Sequence, residues 1–197
     1  MLEVRRIRPD ERDAALATVV AAFRDDPQVR WWFDDDSSYP RLAGRFFGVL
    51  LDTRMAGGEV WVADDCRSVA MWIPPGGNLL GPEVASARYS EIVTSLPRRA
   101  RQRILAADDA IDRLLPREPH WYLGVLASHP DHQRYGLATA VAAPVLAAAD
   151  RAGLGVVLET ASTMNVSYYT RRGFAVIAEA AVLDGPDLFI MRREPHA

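Results

Sequence analysis

The stretch His132-Gln133-Arg134-Tyr135-Gly136-Leu137-Ala138-Thr139 stands between an apolar run, Trp121 to Ser128, and an alanine-rich run that ends near Ala152. The first reads as a strand and the second as a helix beginning near Tyr135, joined by a compact loop with one glycine. A helix start leaves its first backbone N–H groups without intrahelical partners, and those groups carry partial positive charge. A pyrophosphate can rest against them if no side chain blocks the approach, which accounts for Gly136 and the small Ala138. Glycine at 136 also permits a left-handed backbone. The rivals are a loop with no ligand and a dinucleotide fingerprint, for which Glu159 supplies an acidic residue 23 positions after Gly136. The fingerprint fails on Ala138 and Val141, which occupy its further glycine positions, and on the short chain remaining for a doubly wound sheet.

Composition narrows the function classes. A chain of 197 residues with 49% hydrophobic content is most simply one domain over residues 1–197 with a sizeable core. The net charge of −3 gives no general attraction for nucleic acid or anionic membrane, so any anion site is local. All 23 basic residues are arginine, which excludes a Walker-type phosphate lysine and a lysine Schiff base. Cys66 is the only cysteine, so an intrachain disulfide is impossible, and a reducing cytoplasmic setting fits. His129 and His132 flank Pro130 without further ligands nearby, and no metal is expected. Arg5, Arg6 and Arg8 are not followed by an apolar leader segment, and no apolar run reaches membrane-spanning length. The expectation is a soluble protein with neither a nucleic-acid nor a membrane partner.

Along the chain, Leu2 to Arg8 reads as a strand and Pro9 starts a helix with Leu16, Val19, Val20 and Phe23 at helical spacing, stopped by Asp25-Asp26-Pro27. A second helix is predicted over Pro40 to Arg54. Glu59 to Ala63 and Ser68 to Ile73 form a hairpin about Asp64-Asp65-Cys66-Arg67. Helical periodicity runs from Glu83 to Leu115 with a break at Pro97. After the motif helix, in which Pro144 predicts a kink, come a short strand from Gly155 to Glu159, a small helix from Asn165 to Arg172, and a strand pair, Phe174 to Val182 with Asp187 to Arg193. This order implies an α/β fold with a mixed sheet covered by helices.

Gln133-x-x-Gly136-x-Ala138, combined with Leu158-Glu159-Thr160 and with Asn165, Tyr169 and Gly173-Phe174, resembles the GNAT acetyltransferase family. The resemblance implies a mostly antiparallel sheet with a parallel pair at the coenzyme site, and acetyl-coenzyme A as acetyl donor. It places Gln133, Arg134, Tyr135, Gly136, Leu137, Ala138 and Thr139 around the pyrophosphate, and main-chain groups of Leu126, Ala127 and Ser128 along the pantetheine. Asn165 either caps the short helix or bonds the pantetheine arm. Two positions depart from the family pattern: Arg134 stands where glycine is usual and Tyr135 where a basic residue is usual. The arginine either crowds the phosphates or, pointing outward, supplies the missing charge.

The chemistry asks for a neutral amine at a thioester carbonyl, a donor for the developing oxyanion, and a proton for the departing thiolate. Tyr169, at the family's catalytic tyrosine position, is the expected general acid. Its neighbour Tyr168 diverges by about 100° on a helix and is expected in the core. Glu159 takes the amine proton directly or through water, attracts a cationic substrate, or is a solvated strand end. Asp25 and Asp26 either hold an ammonium or are solvated. Trp31 and Trp72, with Trp32, Trp61 and Tyr89, line an aromatic acceptor pocket or fill the core. Cys66 has no activating base, so direct transfer is expected. The acceptor is a small-molecule primary amine, with aminonucleoside antibiotics among the candidates. A non-catalytic acyl-coenzyme A sensor or interaction module is the alternative, and monomer and homodimer both stay open.

Overall fold

The computed structural model describes residues 2–77, 82–182 and 184–196. Its sheet runs β1 (Val4–Arg6), β2 (Glu59–Ala63), β3 (Ser68–Ile73), β4 (His120–Ser128), β5 (Gly155–Thr160), then β7 (Leu188–Arg193) and finally β6 (Phe174–Ala180) at the far edge. Every pairing is antiparallel except β4 with β5. This is the mixed, mostly antiparallel sheet with one parallel pair that the family resemblance implies.

Strand alternation assigns the two faces. On β3, Val69 and Met71 join one core with the N-terminal helices, whereas Ala70 and Trp72 join a second core beneath the motif helix. The first face is covered by α1 (Arg12–Ala22), α2 (Pro27–Trp32), α3 (Tyr39–Gly57) and α5 (Arg98–Asp112), with α4 (Pro82–Ser95) packed on α3. The second is covered by α6 (Leu137–Ala152) and α7 (Thr163–Thr170). Each fully buried Val, Leu or Met on these faces contributes roughly 1.5–3 kcal/mol.

Several boundaries differ from the sequence reading. The first strand contracts to Val4–Arg6. Asp26-Pro27 stops α1 as expected but also starts α2: the Asp26 carboxylate accepts from the backbone N–H of Gln28 (3.0 Å) and Val29 (3.1 Å), and Pro27 occupies the first turn, where its missing N–H costs nothing. The small helix begins at Thr163 because Ser162 Oγ accepts from the Asn165 N–H at 3.3 Å.

Local devices fix α6, which carries the motif. It runs through Pro144 as one element and ends at Gly153, whose φ of 64° closes the helix while Leu154 N–H returns to the Ala149 carbonyl at 3.0 Å. Buried Arg193 of β7 holds Asp150 through two 2.8 Å bonds, a bidentate pairing that ties the helix end to the sheet. In the β2–β3 turn, Asp64, Asp65 and Cys66 all have positive φ. Cys66 is buried, its carbonyl accepts from Thr18 Oγ1 at 2.7 Å, and burial pushes its thiol up to about 11, so the thiolate is suppressed.

Candidate active site

The loop before α6 has the left-handed geometry that the lone glycine anticipated. Gly136 is the helix N-cap with φ 79°, and the first helical N–H to find a carbonyl is that of Ala140, 3.0 Å from the Gly136 oxygen. The N–H groups of Leu137, Ala138 and Thr139 are therefore the orphan donors of the helix start. A Cβ on Gly136 would meet no protein atom within 4 Å, so protein crowding does not require glycine here; the backbone angle does, and the space before the helix stays open. Arg134 also has a left-handed φ, 70°, which is the physical reason that glycine suits that position. Arg134 and Tyr135 are both exposed, and Gln133 Nε2 donates to the Ser128 carbonyl at 3.4 Å.

A residue the sequence reading missed stands beside this loop. The Arg172 guanidinium lies 3.5 Å over the Tyr168 ring and donates from Nη2 to Thr139 Oγ1 at 2.8 Å, bringing a full positive charge to the first turn of α6. Tyr168 is accordingly not a core residue. It is half-buried, with its hydroxyl 3.4 Å from Thr139 Oγ1.

The parallel pair is short. β4 and β5 are in register only at His120↔Gly155, Trp121↔Val156 and Tyr122↔Val157. β4 continues alongside β3 as far as Ser128, and Gly124 is skipped in that ladder as a bulge. Beyond Tyr122 the β5-facing edge of β4 therefore has no strand partner, leaving main-chain groups for an extended ligand to pair with. Of the three β4 residues assigned to the pantetheine, Leu126 lines the adjacent cavity. Ala127 is buried with its carbonyl taken by Ser68 Oγ at 2.7 Å, and Ser128 Oγ shares a 2.9 Å bond with the same hydroxyl.

The cavity, about 520 Å³, opens between the diverging strands and helices α2, α3, α4 and α5. Glu159, Tyr169, Asn165 and Asp26, taken from different parts of the sequence, all line it. Glu159 accepts a hydrogen bond from the Tyr122 hydroxyl, and burial pushes its carboxyl up to about 7. Burial likewise raises the Tyr169 phenol, holding it protonated, while its ring packs on Phe174 at 5.5 Å between centroids. Arg54 is the one guanidinium lining this cavity among the described residues, and burial lowers its pKa although Tyr122 and Glu159 oppose that. Across the cavity, Tyr89 donates to Asp108 at 2.9 Å, and burial pushes the Asp108 carboxyl up to about 6. Neither Glu159 nor Asp108 forms an ion pair among the described residues. Asn165 does not cap α7; its Nδ2 donates to Thr160 Oγ1 at 3.3 Å.

Other acceptor-pocket expectations are corrected. Trp72 is fully buried in the second core, because its strand position faces α6. Trp31 lies under Arg103 and against Gly185, where a Cβ would meet its ring at 2.9 Å. Asp25 is exposed and does not line the cavity. Of the aromatics expected there, Trp32 and Tyr89 do line the cavity, joined by Phe46 at 5.1 Å from Trp32 and 5.8 Å from Tyr89, whereas Trp61 lies under Arg6 away from it. Simple alternation gave no signal for Tyr122: the bulge at Gly124 shifts the faces of β4, so Tyr122 packs with Val125 and Ala127 while Leu123 and Leu126 join the second core. Arg54 and Asp108 lay within helical periodicity and offered none.

Among the described residues no cluster of His, Cys, Asp and Glu is arranged to hold a metal, and no helix is long and apolar enough to cross a membrane. Residues 101–174, spanning α5 to the start of β6, match the acetyltransferase (GNAT) family. An uncharacterized N-acetyltransferase of Schizosaccharomyces pombe is 24% identical, with 99% of this chain and 84% of that protein covered. Among solved structures, a histone acetyltransferase HPA2 and related acetyltransferase from Corynebacterium glutamicum is 22% identical with a TM-score of 0.67 over 100% of this chain and 97% of that one. Arylalkylamine N-acetyltransferase 2 from Aedes aegypti is 13% identical with a TM-score of 0.70 over 99% of both chains. The chain thus shares the GNAT fold, and its segment 101–174, which holds the motif loop, matches that family.

Proposed function

We propose that the protein transfers the acetyl group of acetyl-coenzyme A directly to a small primary amine. The observation that carries this reading is the sharing of one cavity by the Glu159 carboxyl, raised towards neutrality, and the protonated Tyr169 phenol, where β4 and β5 part beside the α6 start. The N–H groups of Leu137 to Thr139, with Arg172 beside them, receive the pyrophosphate, and the unpaired edge of β4 receives the pantetheine amides. Glu159, directly or through water, removes the ammonium proton; a base titrating near 7 suits this task at neutral pH. The free amine forms its C–N bond at the thioester carbonyl while a β4 main-chain N–H holds the oxyanion. The C–S bond then breaks, and Tyr169 hydrogen-bonds or protonates the thiolate. Arg54 keeps part of the Glu159 population ionised, and Tyr122 orients that carboxylate.

The acceptor class agrees with the acidic character of the cavity, where, among the described residues, Asp26, Asp108, Asp112 and Glu159 outnumber Arg54 and His120. Structural neighbours acting on arylalkylamines and polyamines make both amine types rational probes. An aminonucleoside such as puromycin, proposed from the sequence resemblance, belongs in the same panel. The test is free-thiol release from acetyl-coenzyme A with that panel, repeated with Tyr169→Phe. Coenzyme binding without turnover of any amine overturns the enzymatic reading in favour of a sensor.

A further inference from the structure

Gln28 and Trp32 lie four residues apart on α2, so their side chains share one helix face. That face lines the cavity. Gln28 is only 7% exposed and Trp32 9%, yet Gln28 Nε2 and Trp32 Nε1 are buried donors that find no acceptor among the described residues. A buried donor left without an acceptor costs about 1–3 kcal/mol, and two on one face of one cavity describe a place for an acceptor atom brought by a ligand. The charge around them restricts its chemistry. Among the described lining residues, Asp26, Asp108, Asp112 and Glu159 outnumber the guanidinium of Arg54, so an anionic carboxylate or phosphate is disfavoured there, whereas an uncharged oxygen is not. The rings of Trp32, Phe46 and Tyr89 give the intervening space an apolar, aromatic wall.

Resting on the N-acetyltransferase reading above, the geometry points to an acceptor amine whose apolar or aromatic body ends in an uncharged oxygen, an ether, carbonyl or hydroxyl, received by Gln28 Nε2 and Trp32 Nε1. The amine end sits at Glu159 and the oxygen end at α2. The pair therefore sets acceptor specificity rather than performing chemistry.

Matched probes separate this from a plain hydrophobic pocket. A methoxy oxygen accepts but cannot donate, so 2-(4-methoxyphenyl)ethylamine is compared with 2-phenylethylamine and with 1,4-diaminobutane in the thiol-release assay on the full chain. One or two neutral hydrogen bonds correspond to roughly a five- to thirty-fold preference in kcat/KM, and the methoxy compound is expected to lead phenylethylamine by that factor, mostly through KM. In Gln28→Leu and Trp32→Phe, assayed separately so that a folding failure in one leaves the other, the ratio falls towards one. An unchanged ratio in both folded variants, equal rates for the two aromatic amines in the unaltered protein, or the diamine as the best substrate overturns the oxygen site and leaves the acetyltransferase reading standing. A failure of every amine to release thiol overturns both.

Discussion

Glu159→Gln separates a functional carboxylate from a structural one, because stability and activity move in opposite directions. The folded protein raises this carboxyl from an ordinary 4.5 to about 7, mainly by burial, and the Tyr122 hydroxyl bond only partly offsets it. Between those values the folded chain binds more protons than the unfolded chain, so stability falls as pH rises from about 4.5 through 7. At 1.36 kcal/mol per tenfold, ionising Glu159 costs the fold ~3 kcal/mol at pH 8 and only ~1 kcal/mol at pH 5. Glutamine keeps the shape and an amide oxygen for Tyr122 without that charge. The stability difference between variant and unaltered protein therefore shifts in the variant's favour by ~2 kcal/mol between pH 5 and pH 8, or roughly 5–8 °C in Tm for a domain of this size. Asp108, also raised by burial, is present in both proteins and largely cancels. Meanwhile kcat/KM at pH 7 falls about 10²–10⁴-fold, and the ascending limb that Glu159 gives the pH profile near 7 disappears. Thermal unfolding at the two pH values and a kcat/KM profile from pH 5.5 to 9 read both effects. A variant equally destabilised at pH 5 and pH 8, or an unchanged ascending limb, refutes the assignment of a desolvated base.

Three further variants test the rest of the site. Arg134→Gly relieves a left-handed φ of 70° and raises stability by about 0.5–1 kcal/mol, while the salt dependence of coenzyme binding becomes shallower as a nearby charge is lost; urea unfolding and calorimetry at two ionic strengths check these. Tyr169→Phe lowers kcat roughly 10²–10⁴-fold, with a smaller change in coenzyme KM, as steady-state kinetics will show. Arg172→Gln removes the charge held at Thr139 and weakens coenzyme binding by about five- to tenfold, in keeping with one charge-assisted contact; calorimetric titration measures it.

The elements around the motif loop were the most legible. Gly136 and Gly153 bracket α6 because each takes a left-handed φ, a demand written directly in residue type. The hairpin, both halves of the Glu83–Leu115 helical region and the β5–α7–β6 order were likewise readable from periodicity and breakers. Asp26-Pro27 was read only as a stop, since an acidic residue before proline both ends one helix and caps the next, and spacing alone does not say which. The acceptor cavity was least legible. Arg54, Tyr89, Tyr122 and Asp108 come from three helices and a strand and meet only when α3, α4 and α5 close over β4 and β5. Tryptophan placement failed for a related reason: Trp31 and Trp32 are consecutive, so one faces the cavity and the other packs on Gly185, and sequence alone does not fix the helix rotation.

The account depends most on where the coenzyme lies. A crystal structure with coenzyme A bound should show the pyrophosphate against the N–H groups of Leu137, Ala138 and Thr139, the pantetheine along β4 beyond Tyr122, and the sulfur beside the Tyr169 hydroxyl. Coenzyme seated elsewhere, or a gap between β4 and β5 left unfilled at saturating ligand, contradicts it.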